Sequence, residues 1–309
     1  MIIYLQFLLA FILLVILTRW LIRKKAPEFG TGSIVLALGF KVMMGCLYGW
    51  VFLKNYNGDD TWVFNTESMN ELHKLLHRPA FFFEDLNIYR QVSDFGFAKG
   101  IRIFLNKLEQ AMIIKPLAFF NLYSGGNYYI NIVAFSGISF WGHFYLYQLI
   151  TKIWPRSRKW VFVVIFLYPP VVFWLSGIRP DGILFLFFSL LLYQFHRWLL
   201  TGKSSALATS MLALGGMAVI RPAMALLILP GLLAWWLVQC QKKSPKKAFF
   251  LVYGCSMLFF FASSLLGGAI DLPRAVVNKQ MEFLALQGKT RLTLDTLSTH
   301  PMSFFRILP

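Results

Sequence analysis

Eight long apolar segments constrain this chain more than any other feature, because a helix of about 20 apolar residues spans the hydrocarbon core of a bilayer. The segments cover residues 2–18, 33–53, 127–151, 160–177, 183–200, 205–220, 223–241 and 248–270. Hydrophobic residues make up 58% of the chain and charged residues only 14%, which leaves too little polar surface to coat a water-soluble globule. The short alternating strands of a membrane barrel are not visible. The sequence therefore predicts an all-α polytopic membrane protein with about eight transmembrane helices.

The basic residues are distributed unevenly between alternate connections of these segments. Four short connections hold fourteen Lys and Arg residues against one acid, Glu28, whereas the other connections hold fifteen basic and twelve acidic residues. The positive-inside rule places the first set in the cytoplasm and both termini outside. The net charge of +17 thus belongs to membrane flanks, and no nucleic-acid partner is expected. We expect a multi-pass membrane protein, surrounded by lipids, whose longer connections lie on the outer face.

We interpret residues 1–309 as a single transmembrane domain with two outer-face portions. The first is a long loop, residues 54–126, and the second is a tail, residues 271–309. Within the loop, apolar residues recur at helical spacing and predict an amphipathic helix that lies in the membrane interface: Ile101, Phe104, Leu105, Leu108 and Met112. A new apolar pattern begins at Phe304, so we expect a C-terminally truncated chain with further helices after it.

An acidic turn directly follows the second apolar segment, with the sequence Asn-Tyr-Asn-Gly-Asp-Asp-Thr-Trp at residues 55–62. Gly58 allows a sharp backbone turn, and Trp62 is expected to support the turn as an anchor at the headgroup level. Asp59 and Asp60 repel one another and are costly to desolvate. Such carboxylates suit a general base toward a hydroxyl, or hard oxygen ligands for a divalent cation such as Mg²⁺ or Mn²⁺. An ordinary solvated turn is the alternative interpretation.

Two arginines lie in short turns between apolar segments. Pro169 and Pro170 interrupt the fourth segment, and Arg179 and Asp181 follow close after it. A guanidinium in such a turn is suited to binding a lipid phosphate through paired hydrogen bonds, with the aspartate in support. The alternative is a snorkelling arginine paired to its neighbouring aspartate. Arg221, between the sixth and seventh segments, repeats this pattern.

Two further ionisable residues lie within the apolar segments themselves. We expect Lys41 to snorkel toward the cytoplasmic surface, so that its ammonium remains hydrated. For His143 we expect a hydrogen bond within the protein interior rather than a catalytic role.

These motifs resemble those of a known superfamily. Residues 58–62, Gly-Asp-Asp-Thr-Trp, and residues 170–181, which end in Arg-Pro-Asp, resemble bacterial members of the GT-C integral-membrane glycosyltransferases, in the group of the protein mannosyltransferases. The likeness in layout covers most of the chain, whereas the specific motifs cover only some twenty residues. The chain departs from the family in two ways: helix 2–18 is additional, and Asp-Asp replaces the common Asp-Glu pair.

The resemblance implies a hexosyltransferase of the bacterial inner (cytoplasmic) membrane, with its active site on the outer face. It implies transfer of a sugar from a polyprenyl-phosphate carrier to a lipid, glycan or protein acceptor, with inversion at the anomeric carbon. It implies that Asp60 is the base that deprotonates the acceptor hydroxyl, and that Asp59 orients the acceptor or helps to hold a cation. Arg179 and Arg221 are our own candidates for binding the donor phosphate, which gains charge as the glycosidic bond breaks.

Two other functions fit the same sequence. A transporter or flippase for a lipid-linked substrate also uses broken helices and interfacial arginines, although it commonly has related halves or charged residues near mid-membrane. A non-catalytic membrane assembly protein is the third possibility, because a fold does not fix a function.

Overall fold

The computed structural model describes residues 2–24, 26–27, 29–242, 244–266 and 271–285, which form helices and connections without any strand. The α-helices among these residues are α1 Ile2–Ile22, α2 Thr31–Tyr56, α3 Asp60–His77, α4 Ile88–Phe95, α5 Phe97–Ser124, α6 Tyr128–Ile153, α7 Arg158–Phe166, α8 Pro169–Trp174, α9 Pro180–Thr201, α10 Ser204–Ile220, α11 Pro222–Gln241, α12 Pro245–Leu266 and α13 Leu272–Ala285. Single-turn 3₁₀ helices lie at Pro79–Phe81, Glu84–Leu86 and Pro155–Ser157. The predicted all-α class is confirmed.

Five of the described helices are long and apolar enough to cross a membrane: α1, α2, α9, α11 and α12. They support a membrane protein, whereas eight spans remain a prediction. Helix α10 is apolar but only 17 residues long. Helix α6 covers the third predicted segment, but it carries buried polar residues that reduce its apolar character.

The fourth predicted segment, residues 160–177, is two short helices rather than one continuous span. Helix α7 ends at Phe166, α8 begins at Pro169, and irregular backbone follows Trp174 until α9 begins at Pro180. Proline lacks a backbone N–H and fixes its own φ, so it suits the first turn of a helix and not a helix interior. The two consecutive prolines therefore end one helix and start the next.

The amphipathic pattern at residues 101–112 belongs to a longer helix than expected. Helix α5 extends to Ser124, and its second half buries Ile113, Ile114 and Leu117. It packs against α3, α4 and α6, because these apolar side chains continue the same helical stripe. An interfacial position for residues 101–112 stays a prediction.

Contacts within the chain define two units, Met1–Leu226 and Leu227–Pro309. In the first, α6 packs against α1, α2, α5, α7 and α9. His143 of α6 is 1% exposed and its Nδ1 lies 3.4 Å from the carbonyl oxygen of Ser139, so the predicted interior hydrogen bond is present. In the second unit, α12 packs against α13. The truncation predicted from residue 304 onward lies outside the described residues.

Candidate functional site

The acidic turn joins two helices of the first unit through a left-handed backbone. Asn57 and Gly58 have φ values of 55° and 83°, and they redirect the chain from α2 into α3. Asp59 then precedes α3 and Asp60 is its first residue, where the positive end of the helix dipole favours a carboxylate. The Asp59 side chain makes no capping hydrogen bond to the helix, so it is available to other groups.

The Arg179 guanidinium lies among three carboxylates. Its Nη1 donates to the Tyr48 hydroxyl at 2.8 Å and lies 3.3 Å from Asp59 Oδ2. Its Nη2 lies 3.8 Å from Asp60 Oδ2, and its Nε lies 3.6 Å from Asp181 Oδ2. The Asp60 side chain is 64% exposed, against 31% for Asp59 and 21% for Arg179. Asp60 is therefore the carboxylate most open to a ligand.

Helix α2 holds the irregular segment that presents Arg179. The Lys41 ammonium is 2% exposed and donates to the carbonyl oxygen of Leu175 at 2.9 Å. This contradicts the expected snorkelling: a lysine Nζ so close to a freed carbonyl at the end of α8 satisfies that carbonyl instead of reaching water. Gly45 permits the close approach, because a Cβ atom there would lie 2.9 Å from the carbonyl oxygen of Ser176.

Threonine and tryptophan at the start of α3 fix the acidic turn to the protein core. Thr61 is buried, and its Oγ1 accepts from the backbone N–H of Ile178 at 3.1 Å and lies 2.7 Å from the Tyr128 hydroxyl oxygen. Trp62 stacks on the Tyr128 ring with the ring centroids 4.1 Å apart, and its Nε1 donates to the carbonyl oxygen of Gly49 at 3.0 Å. Trp62 thus holds the turn through protein contacts, and its predicted position at the headgroup level stays a prediction.

Two further charged residues, Glu109 and Arg221, interact electrostatically near the Arg179 cluster. Glu109 of α5 is half-buried, and burial raises the pKa of its carboxyl, while the charge of Arg221 lowers that pKa and the charge of Asp181 raises it. Arg221 lies between α10 and α11, and its side chain is exposed. Within the described part of the chain, its guanidinium makes no hydrogen bond and no ion pair within 4 Å. Arg221 is therefore open to an external anion in a way that Arg179 is not.

The possible metal site remains a prediction. Among the described residues, no group of three or more His, Cys, Asp or Glu side chains is placed to hold a metal ion. Asp59 and Asp60 would be the nearest carboxylate ligands for a divalent cation, and both direct an oxygen toward Arg179. A cation there would have to share those oxygens with a guanidinium that already neutralises them, so the residues present fit a metal poorly.

The structure thus groups most of the residues that the sequence singled out. Asp59, Asp60, Arg179 and Asp181 form one ion-pair cluster, and Arg221 joins it through electrostatic coupling to Glu109. Sequence reasoning missed the site residues Tyr48, Thr61, Glu109 and Tyr128, and it misplaced Lys41. One signal was available, since Gly45 and Gly49 have the spacing that lets a helix approach its neighbour closely.

Comparison of the chain with protein-family models, with curated proteins and with solved structures finds no match.

Proposed function

We propose that this protein is a membrane glycosyltransferase of the bacterial inner membrane that transfers a sugar from a polyprenyl-phosphate carrier to a lipid, glycan or protein acceptor on the outer face. The observation that carries this proposal is the pairing of an exposed carboxylate, Asp60, with a carboxylate that an arginine already holds, Asp59. The resemblance of residues 58–62 and 170–181 to GT-C enzymes supports the same chemistry. The orientation from the positive-inside rule supports the outer face.

In the proposed reaction, Asp60 accepts the proton of the acceptor hydroxyl as that oxygen attacks the anomeric carbon. The bond between the anomeric carbon and the phosphate oxygen breaks, and its electron pair leaves with the phosphate. Attack from the face opposite the leaving group inverts the anomeric centre. A base in this position contributes roughly 10²–10⁴-fold to the rate.

We assign Arg179 a different role from the one expected from the sequence alone, whereas Arg221 keeps the role expected of it. Arg179 is engaged by Tyr48 and three carboxylates, so it positions Asp59 and Asp60. Arg221 has an open guanidinium and is the better candidate for neutralising the phosphate as it gains charge.

The test replaces Asp60 by Asn in the native host. A deletion strain is complemented with the full-length gene as wild type, Asp60→Asn or Glu67→Gln, and polyprenyl-linked sugars and surface glycans are measured by mass spectrometry. Glu67 lies on the same helix and serves as the control for removing one carboxylate. We expect the wild type and Glu67→Gln to restore the missing glycan residue, and Asp60→Asn to lose about 100-fold or more of the transfer while the carrier-linked sugar accumulates.

Equal rescue by Asp60→Asn would contradict the proposed base. A deletion strain with unchanged glycans but a carrier-linked sugar trapped on one side of the membrane would instead support a flippase. Membrane insertion of each variant, measured by immunoblotting, excludes loss of the protein as the cause.

A further inference from the structure

A cavity lies away from the Arg179 cluster, between α3, α4, α5 and the segment that joins α3 to α4. Its volume is about 490 Å³, within the roughly 300–1,000 Å³ range of small-molecule sites. We refer to it as the α3–α5 cavity. The residues used below as its lining are Arg78, Phe81, Arg90, Gln91, Phe95 and Lys107.

Among the described residues, two cations of this lining have no side-chain partner, whereas its three carboxylates each lie within 4 Å of a Lys or Arg nitrogen. Arg90 pairs with Glu84 and Asp94, and Asp85 lies 3.1 Å from Lys115 Nζ. The side chains of Arg78 and Lys107 make no hydrogen bond or ion pair with the described residues. Lys107 is also half-buried, so its charge has lost part of its hydration. The cavity therefore favours an anion.

A buried amide in the same wall adds donor and acceptor groups. Gln91 is 4% exposed and lines the cavity, and its side chain makes no hydrogen bond to any residue that the structure describes. Its amide atoms are not among the fully enclosed unpaired atoms of the described residues, so they remain accessible from the cavity. Its N–H groups and its carbonyl oxygen suit hydroxyl groups, which both accept and donate.

Aromatic surface completes the lining. Phe81 is 52% exposed and Phe95 is 48% exposed, and both line the cavity. These two rings are the apolar part of a lining that is otherwise polar or charged, and an aromatic face can pack against the apolar face of a sugar ring.

The wall of the cavity is held in place by a buried ammonium. Lys115 of α5 lies 2.9 Å from Glu71 Oε2 of α3, and it donates to the carbonyl oxygen of Phe82 in the joining segment. Its side chain is 7% exposed and Nζ lies 4.5 Å from the centroid of the Phe82 ring. These contacts tie the joining segment to two helices, so the cavity is formed before any ligand binds.

We propose that the α3–α5 cavity binds an acidic saccharide, a sugar unit that carries a carboxylate or a phosphate. Arg78 and Lys107 bind the anionic group, Gln91 binds ring hydroxyls, and the two phenylalanines contact the apolar faces of the sugar. The identity of the ligand rests on the proposed function. If the protein is a glycosyltransferase, the acidic saccharide is part of the acceptor glycan, and the cavity is an acceptor site separate from the reacting carboxylates.

The test measures saccharide binding to the full chain in nanodiscs of phosphatidylcholine by isothermal titration calorimetry. The probes are a disaccharide containing glucuronic acid, the neutral disaccharide cellobiose, and inorganic phosphate. The variants are Lys107→Gln, Gln91→Glu and Gln91→Leu, with Arg102→Gln as the control, since Arg102 is an exposed cation of α5 outside the cavity lining. The melting temperature of each variant is measured first. If one of the two Gln91 variants does not fold, the other one is used.

We expect the acidic disaccharide to bind at least tenfold more tightly than cellobiose or phosphate. Lys107→Gln and Gln91→Glu should each weaken that binding about tenfold, because each removes or opposes a charge-assisted hydrogen bond, and Arg102→Gln should leave it unchanged. Equal binding of phosphate would overturn the proposal in favour of a simple anion site. Loss of binding in nanodiscs that contain phosphatidylglycerol would overturn it in favour of a lipid headgroup site.

The Asp60→Asn variant separates this proposal from the proposed function. It should bind the acidic disaccharide as the wild type does, since Asp60 does not line the cavity. If the wild type binds the acidic disaccharide and Asp60→Asn leaves transfer unaffected, the proposed base is wrong and the saccharide site is retained. If the wild type does not bind the disaccharide and Asp60→Asn abolishes transfer, the saccharide site is wrong and the proposed base is retained.

Discussion

At the scale of single residues, the site depends on how one arginine holds three neighbouring carboxylates that repel one another. Asp59, Asp60 and Asp181 surround one guanidinium, which compensates only part of their charge. Their partial exposure lets water reduce the remaining repulsion. Asp59, the least exposed of the three, lies closest to Arg179, whereas Asp60 is the most exposed and lies farthest from it. Two neighbouring carboxylates therefore acquire different environments.

Glu109 gives a pH-dependent prediction at this scale. Burial raises the pKa of its carboxyl above the ordinary value of 4.5, so the folded protein binds this proton more tightly than the unfolded chain does. The stabilisation from the bound proton is complete below pH 4.5 and is lost as the pH rises through the folded-state pKa. We therefore expect Glu109→Gln, which cannot ionise, to be more stable than the wild type at pH 8 by a margin that shrinks toward pH 4.5.

Thermal unfolding of the purified protein in detergent at both pH values measures that margin. Glu67→Gln is the control for losing a carboxylate elsewhere in the first unit. A margin for Glu109→Gln that stays constant or grows as the pH falls would contradict the raised pKa.

At the scale of elements, α2 is the support of the site. Along this one helix, Lys41 binds the carbonyl oxygen of Leu175, Gly45 admits the backbone of Ser176, and Tyr48 accepts from Arg179. These three positions are spaced by one helical turn each, so they form a single stripe along the segment between α8 and α9. The broken helix is tolerated because α2 satisfies its freed backbone groups.

Replacing Lys41 by Met tests this support. The variant keeps an apolar stem of similar length but leaves the buried carbonyl of Leu175 without its donor, which costs roughly 1–3 kcal/mol. We expect a lower thermal midpoint for Lys41→Met, measured by tryptophan fluorescence in detergent, and a loss of whatever transfer activity the wild type shows. Lys54→Met is the control, because Lys54 is an exposed residue of the same helix. A midpoint equal to that of the wild type would show that the ammonium does not hold the segment.

At the scale of the whole molecule, the distribution of basic residues predicts how the chain crosses the membrane. The short connections around residues 19–25, 152–159, 197–203 and 242–247 carry most of the uncompensated positive charge. Basic residues near the ends of spans are retained in the cytoplasm. This predicted orientation would place the acidic turn and the α3–α5 cavity on the outer face.

Cysteine labelling tests the orientation. The natural cysteines Cys46, Cys240 and Cys255 are first replaced by Ser, and single cysteines are then introduced as Ser157→Cys or Arg102→Cys. A membrane-impermeant maleimide should label Arg102→Cys in intact cells and Ser157→Cys only after permeabilisation. The opposite pattern would place the candidate site in the cytoplasm and contradict the proposed donor.

The sequence alone was enough for the helical class, the positions of most helices and the candidates Asp59, Asp60, Arg179 and Arg221, because apolar length and turn chemistry are local properties of the chain. It was not enough for Lys41 or Glu109, whose environments are made by residues far away in the sequence. Lys41 lies 134 residues from the carbonyl that it binds. Long-range contacts determine which carboxylate Arg179 holds, which arginine is open and where the α3–α5 cavity lies, so only the tertiary structure decided these features.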